Sequence, residues 1–334
     1  MIEIDGSHGE GGGQILRTSV ALSAFCGKAV KVFNIRAGRD TPGLRPQHVT
    51  GIDAVGKICS AKIEGSSVGS SELFFTPGEL KSGDFAFDVG TAGAITLIIQ
   101  SLLPTVVSHP GEFSLRITGG TDVRWSPQAD YLKHVTIPLL NKLGCIIELK
   151  VLRRGYYPKG GGLVELKVEG VQKLKEIDLT TRGEVKSISG ISHAHSSLKE
   201  RSVCERQANS AKKYLVDYEN VNISCEYNDA FSIGSGITLW ADCGNTIIGA
   251  DYLGARELKA EDVGKKAALD LLSALKSSAC LDKFMADQIV PYIALAGGKA
   301  TIAEATEHAK TNVWVCREFG FDVRLAGNTL SSRL

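Results

Sequence analysis

Apolar positions along the chain fall into short runs whose period alternates between that of a helix and that of a strand. After the glycine run Gly9–Gly13, residues Ile15, Leu16, Val20, Leu22 and Phe25 recur at helical spacing. Gly27 ends that helix, and Val30 to Ile35 reads as a strand. A polar turn spans 36–46, and a second helix carries Val49, Ile52, Val55 and Ile58 on one face. The order then returns. Gly90–Gly93 opens an almost wholly apolar helix to about Leu103, Phe113–Ile117 reads as a strand and 119–127 as a polar turn. A helix carrying Leu132, Val135, Leu139 and Leu143 ends at Gly144, with strands at 145–151 and 163–168. A shorter third copy has a helix over about 284–295, Gly297 and Gly298, and a strand ending at Ala303. It closes with a polar turn holding His308 and a helix carrying Val313, Cys316 and Phe319 up to Gly320.

Three copies of helix, strand, polar turn, helix and strand predict an α/β (α+β) fold of split units, with helices on one sheet face. Arranged about an approximate axis, the copies would bring their polar turns together. The stretch between the second and third copies differs in character. It holds a strand ending in His193 and His195, and Ser197 to Glu200 as a capping box for a helix to Tyr214. Strands near 222–227 and 237–242 and a helix over 259–276 follow. The expected division is two repeated units in 1–183, an inserted small α/β domain in 184–278, and a third unit in 279–334 completing the large domain.

Composition narrows the picture only at a few points. With 334 residues and a hydrophobic fraction of 43%, the chain can build about two domains with sizeable cores. A net charge of +1 lends no support to a nucleic-acid partner, so any such site must be a local basic cluster. The most apolar run, 94–107, is broken by Gln100 and Pro104 and is too short to span a bilayer. No basic segment precedes an apolar one near Ile2–Asp5, so no signal peptide is expected and the reading is cytoplasmic. The eight cysteines form no Cys-x-x-Cys pair and read as small core residues, not as zinc ligands or a disulfide framework.

Candidate chemistry gathers at the polar turns. Gly9–Gly13 is neither a Walker loop nor a Rossmann fingerprint. It reads as a tight turn or, with Glu10 and Gln14 beside it and Arg17 one helical turn on, as an anion or metal–phosphate site. The turn 36–46 holds Arg36, Arg39 and Arg45 with one aspartate, Asp40. Arginine forks suit bidentate phosphate binding better than a merely solvated loop, and Gln47 and His48 open the next helix. His308, in its turn, can serve as a general base, a metal ligand or a nucleophile, or stand as an ordinary surface histidine. His193 and His195 share one strand face but have no third ligand nearby, which favours a polar strand face over a metal pair. Arg153, Arg154 and Lys159, with Tyr156, Tyr157 and Gly160–Gly162, form a basic aromatic hairpin that reads equally as a nucleic-acid contact and as a solvated turn.

Several of these stretches match one pattern: Gly9 to Arg17, Arg36 to His48, Gly90–Gly93, Gly119–Asp122, Tyr157–Gly162, Ala286–Gln288 and His308 to Asn312. Together they closely resemble the RNA 3′-terminal phosphate cyclases, over nearly the whole chain, with the inserted domain the weakest match. The resemblance implies three repeated units like the C-terminal domain of a translation initiation factor, plus an inserted α/β domain. It implies ATP-dependent conversion of an RNA 3′-phosphate to a 2′,3′-cyclic phosphate, with AMP and pyrophosphate released. His308 falls at the adenylylated histidine, and Glu10 at the ligand of a divalent metal, Mg²⁺ or Mn²⁺, on the triphosphate. Gln14, Gln100 and the stretch Phe284, Met285, Ala286, Asp287 and Gln288 match nucleotide-contacting positions, with Pro127 and Phe284 on either side of the adenine. Relatives often carry tyrosine where Phe284 stands, which keeps stacking and loses a hydroxyl contact. Arg17, Arg36, Arg39, Gln47 and His48 match positions that handle phosphates of ATP or of the RNA end. Two rivals remain: a cyclase-like ribosome-assembly protein, which would lack the histidine, and an enolpyruvyl-transferase-like enzyme, which would lack the His308 motif and the arginine turn.

Overall fold

A computed structural model describes residues 1–333. Three of its four sheets share one topology. In the first, Ile2–Asp5 runs parallel to Val30–Phe33, which pairs antiparallel with Leu73–Thr76, and Lys62–Glu64 lies outside that. In the second, Gly83–Asp88 runs parallel to Gly111–Gly119, followed by antiparallel Gly162–Gly170 and Ile146–Arg153. In the third, Ile177–Leu179 runs parallel to Gly298–Thr301, followed by Thr329–Arg333 and Asp322–Ala326. The strand Ile177–Leu179 lies in the stretch grouped above with the first two units, so the chain enters the third sheet before the insert begins. The fourth sheet has its own order, with Ser187–His195 between parallel Val221–Asn228 and antiparallel Ser235–Asp242, and Ile247–Leu253 at the edge.

The helix Ile95–Val106 shows why the units pack as they do. Every residue in it is buried except Gln100. It lies against both Gly13–Cys26 and Pro46–Ile58, so it has no solvent face to fill with charge. Gly13–Cys26 also packs on Glu307–Glu318, which ties the first unit to the third. One apolar core runs through all three units, from Ile4 through Ile99 and Leu140 to Ile293. A second core, around Ile188, Leu239 and Leu271, belongs to the fourth sheet and the helices Val203–Tyr214 and Ala260–Lys276.

Two helix starts differ from the sequence reading. The helix after the His195 strand begins at Val203, because Ser197 does not cap it. Its N–H donates to His195 Nδ1 at 3.1 Å, and its hydroxyl lies 2.8 Å from the same nitrogen. The last helix begins at Glu307, one residue before His308. Thr306 Oγ1 accepts the Ala309 N–H at 3.1 Å and caps it. His308 therefore stands in the first turn of a helix and not in the loop before it.

Polar bonds fasten the fourth sheet to the rest. Arg154 is buried and reaches Asp122 at 3.3 Å, Asp130 at 2.8 Å and Glu226 at 3.0 Å. Asp282 accepts from Tyr131 Oη at 2.6 Å and from the Gly249 N–H at 2.9 Å. His193 is also buried, with Nδ1 2.8 Å from Tyr156 Oη and Nε2 2.8 Å from Gln128 Oε1. Burial holds its pKa well below the usual value, so it is a neutral hydrogen-bonding strut. All eight cysteines are free, six of them buried. Among the described residues no helix is long and apolar enough to cross a membrane.

Candidate active site

The turn before the first helix is shaped by close approach. Gly9 and Gly11 take φ of 57° and 55°. A Cβ on Gly9 would stand 2.8 Å from Thr311 Oγ1, and one on Gly13 would stand 2.3 Å from His48 Nε2. The turn is thus pressed between the His308 helix and the His48 helix. The ring of His8 stacks on Trp314 with centroids 3.9 Å apart, pinning the turn to the last helix a second time. That pair left no signal in the sequence, since its members stand far apart along the chain.

Glu10 comes out of this turn half-exposed. Its Oε2 lies 2.6 Å from His308 Nδ1 and 3.7 Å from an Arg39 nitrogen. The contact assigns the imidazole proton. Nδ1–H donates to the carboxylate, and Nε2 is left as the free lone pair. Burial lowers the His308 pKa, the Glu10 charge opposes that, and Arg17 and Arg39 push it further down. The net direction is downward, so the ring is neutral at pH 7.

Positive charge converges on the same place. Arg36 takes a left-handed φ of 56° and sends one guanidinium nitrogen to Thr41 O at 3.2 Å. It is half-buried, not on a fully exposed turn, and burial followed by Arg39 and Arg45 lowers its pKa. Burial also draws Arg17 down to about 10, against the attraction of Asp287. The Nε atoms of Arg17 and Arg36 are buried without a hydrogen-bond partner. Such donors call for an acceptor, and phosphate oxygens fit them. His48 is buried, takes the Arg45 N–H on Nδ1 at 3.1 Å, and is lowered to about 3 by burial and by Arg17, Arg36 and Arg45. It can only be a neutral donor or acceptor there. Gln47 Oε1 accepts the Ala94 N–H at 3.2 Å, which holds the arginine turn against the second unit.

The nucleotide-matching residues divide among two cavities and the core. A narrow cleft is lined by Gln14, Arg17, Gln100, Leu132, Thr136 and Gln288. Phe284 instead lines a larger cavity beside Asp270, Lys276 and Glu304, next to the inserted unit. Its ring meets Tyr131 edge-on at 6.0 Å. Pro127 is half-buried, accepts from Thr96 Oγ1 at 2.9 Å and lines neither cavity. Met285 and Ala286 are fully buried and line neither cavity. Burial pushes Asp287 up to about 7 despite Arg17. Asn312 links these parts. It accepts from Thr18 Oγ1 at 2.7 Å and donates to Asp287 O at 2.8 Å.

A family model described as RNA 3′-terminal phosphate cyclase matches residues 8–325. The chain belongs to that family. Curated relatives carrying the same name include one from Pyrococcus furiosus, 50% identical over 320 residues, which are 96% of this chain and 93% of the relative. Another from Pyrococcus abyssi is 47% identical over 96% of this chain and 93% of its own. A third, from Ignicoccus hospitalis, is 46% identical over 96% and 92%. In this cyclase-family chain, the motif stretches Gly9–Arg17, Arg36–His48 and His308–Asn312 meet around Glu10 and His308.

Residues able to hold a metal are few. No group of three or more His, Cys, Asp or Glu side chains among the described residues could cage an ion. Glu10 fits a different arrangement, in which one carboxylate shares the ion with substrate phosphates. Its protein contacts fall on Oε2, leaving Oε1 for that purpose.

Proposed function

We propose that this chain converts an RNA 3′-terminal phosphate to a 2′,3′-cyclic phosphate at the cost of ATP, with His308 as the nucleophile. The observation that carries this reading is the 2.6 Å contact of His308 Nδ1 with Glu10, in surroundings that keep the ring neutral. Nε2 attacks the α-phosphorus of ATP, and pyrophosphate leaves. The Nδ1 proton stays on Glu10's side of the ring and balances the charge that develops on the imidazole. His308 stands in the first turn of a twelve-residue helix, whose N-terminus would favour the negative charge of the phosphoramidate. An oxygen of the RNA 3′-phosphate then takes the adenylyl group, and His308 returns to its neutral form. Finally the neighbouring 2′-hydroxyl attacks the activated phosphate and expels AMP. That hydroxyl is tethered to its target, so ring closure gains from proximity.

Arg17, Arg36, Arg39, Gln47 and His48 would orient the phosphates of ATP or of the RNA end. Gln14, Gln100, Asp287 and Gln288 would hold the nucleotide, with Phe284 and Pro127 as flanks of the adenine. Glu10 would hold Mg²⁺ or Mn²⁺, which when bound offsets charge on the triphosphate. The boundaries 1–183, 184–278 and 279–334 serve this reading as two units, an insert and a completing unit, with 177–179 lent to the third sheet. The ribosome-assembly reading would not need an imidazole poised on a carboxylate, and the enolpyruvyl-transferase reading would not need this arginine cluster.

Labelled ATP tests the reaction directly. With α-labelled ATP the protein should acquire acid-labile label, which passes to RNA when a 3′-phosphate end is added. An RNA ending in 2′-deoxyribose should take the AMP and fail to cyclise. Cyclisation without labelling of the protein would overturn the proposal.

A further inference from the structure

The basic aromatic hairpin is not used by the chemistry above. Arg154 and Tyr156 are buried in the junction with the fourth sheet, but their neighbours turn outward. The three most exposed aromatic side chains among the described residues are Trp125 at 92%, Tyr157 at 76% and Phe231 at 54%. All three sit on loops that meet one another. The Thr121 and Asp122 N–H groups donate to Gly155 O at 2.9 and 3.3 Å, which joins the Trp125 turn to the Tyr157 hairpin. The Lys159 N–H donates to Ser232 Oγ at 3.1 Å, and the Phe231 ring lies so close to Gly161 that a Cβ there would stand 2.3 Å away. Trp125 is held at φ 63°, a conformation that a bulky residue adopts rarely, while its ring packs on almost nothing.

This surface carries charge of both signs, with three basic side chains exposed on it. Arg124, Arg153 and Lys159 are exposed, and the Arg153 guanidinium lies 4.5 Å from the Phe231 ring centroid. The nearby carboxylates Asp122, Asp130 and Glu226 share the single guanidinium of Arg154, and the exposed Asp229 accepts from the Ser196 hydroxyl. The surface also leads to the active site. Gly160 lies against Ala92, where a Cβ would stand 2.7 Å from the Ala92 Cα, and Gly93 lies against Gln47 in the same way at 3.1 Å. Gln47 opens the helix that follows the arginine turn.

We propose that these loops form a track for single-stranded RNA, taking the nucleotides upstream of the terminal phosphate. Bases stack on Trp125, Tyr157 and Phe231, and phosphates meet Arg124, Arg153 and Lys159. Aromatic faces accept any base, so the track selects length and single-strandedness rather than sequence. The proposal rests on the cyclase reading, and its test separates the two. Wild type, Trp125→Ala, Tyr157→Ala and Lys159→Ala are compared on a dinucleotide and a ten-nucleotide RNA, each with a 3′-phosphate. The KM of the ten-mer should rise about tenfold in each aromatic variant, as expected for one lost stacked base. The KM of the dinucleotide and the labelling of the protein by α-labelled ATP should not change. Tyr157→Phe should restore the ten-mer KM. Lys159→Ala should lower the slope of log affinity against log salt by about 0.7. Ten-mer RNA should quench tryptophan fluorescence in wild type, and Trp125→Phe should remove most of that quenching. Unchanged ten-mer kinetics, or equal weakening of both RNAs, overturns the track. Absence of protein labelling in wild type would instead strike at the cyclase reading.

Discussion

At the scale of single residues, the account turns on one carboxylate and one imidazole. Glu10 raises the His308 pKa while burial and two arginines lower it, leaving it below the ordinary 6.5. Adenylylation should therefore rise with pH through that lowered value and be flat near pH 7. Replacing Glu10 by Gln removes the one raising influence, so the acid limb should move to lower pH. The plateau should also fall by about an order of magnitude or more, with partial recovery at high metal concentration. A single-turnover pH profile checks this, and a limb that stays put or moves upward would contradict the pairing. Asp287 offers a stability counterpart. Its folded pKa is raised to about 7 from an ordinary 3.8, so the folded state binds a proton the unfolded state releases. Stability from this group is therefore complete at low pH and is lost as pH rises from about 4 to about 7. Asp287→Asn should gain in melting temperature relative to wild type over that window, level off above it, and bind ATP less well. A gain confined to acid pH would refute the sign. His308, Glu10 and the arginines could be found in the sequence because each sits in a short local motif. The raised Asp287 and the His8–Trp314 stack could not, because each depends on which segments the fold sets side by side.

Among elements, the last helix is the one whose placement decides the site. It is bound to the first helix and to the Asp287 turn through Asn312, a fully buried residue with both ends of its amide engaged. Asn312→Ala would leave the Thr18 hydroxyl and the Asp287 carbonyl without their partner, at a cost of about 2–3 kcal/mol for two buried bonds. Thermal unfolding should show that loss, and adenylylation of the folded fraction should slow because His308 shifts relative to Glu10. Normal labelling in a destabilised variant would make Asn312 structural only. Element order was legible from the alternation of helix and strand periods, and helix Ile95–Val106 from its unbroken apolar run. The start of the last helix was not. Thr306, which caps it, stands in a run of polar residues whose side chains give several capping choices, and only the Ala309 bond decides among them.

Across the whole molecule, residues 10, 39 and 308 meet because three sheets of one topology share a single core. The repeat was visible in the sequence as a recurring order of elements. That the third sheet borrows its edge strand from before the insert was not, since 177–179 is only three residues long and carries no distinctive period. The fourth sheet keeps its own core and is joined through Arg154 and Asp282, buried polar groups that no local pattern announces. The central claim is that this assembly makes His308 the acceptor of AMP. The direct measurement is the rate and position of labelling by α-labelled ATP in wild type and in His308→Ala, with ATP binding measured in parallel. The account predicts label on the His308 segment in wild type, and in the variant no label with ATP still bound. A His308→Ala protein that is adenylylated at the wild-type rate would contradict it.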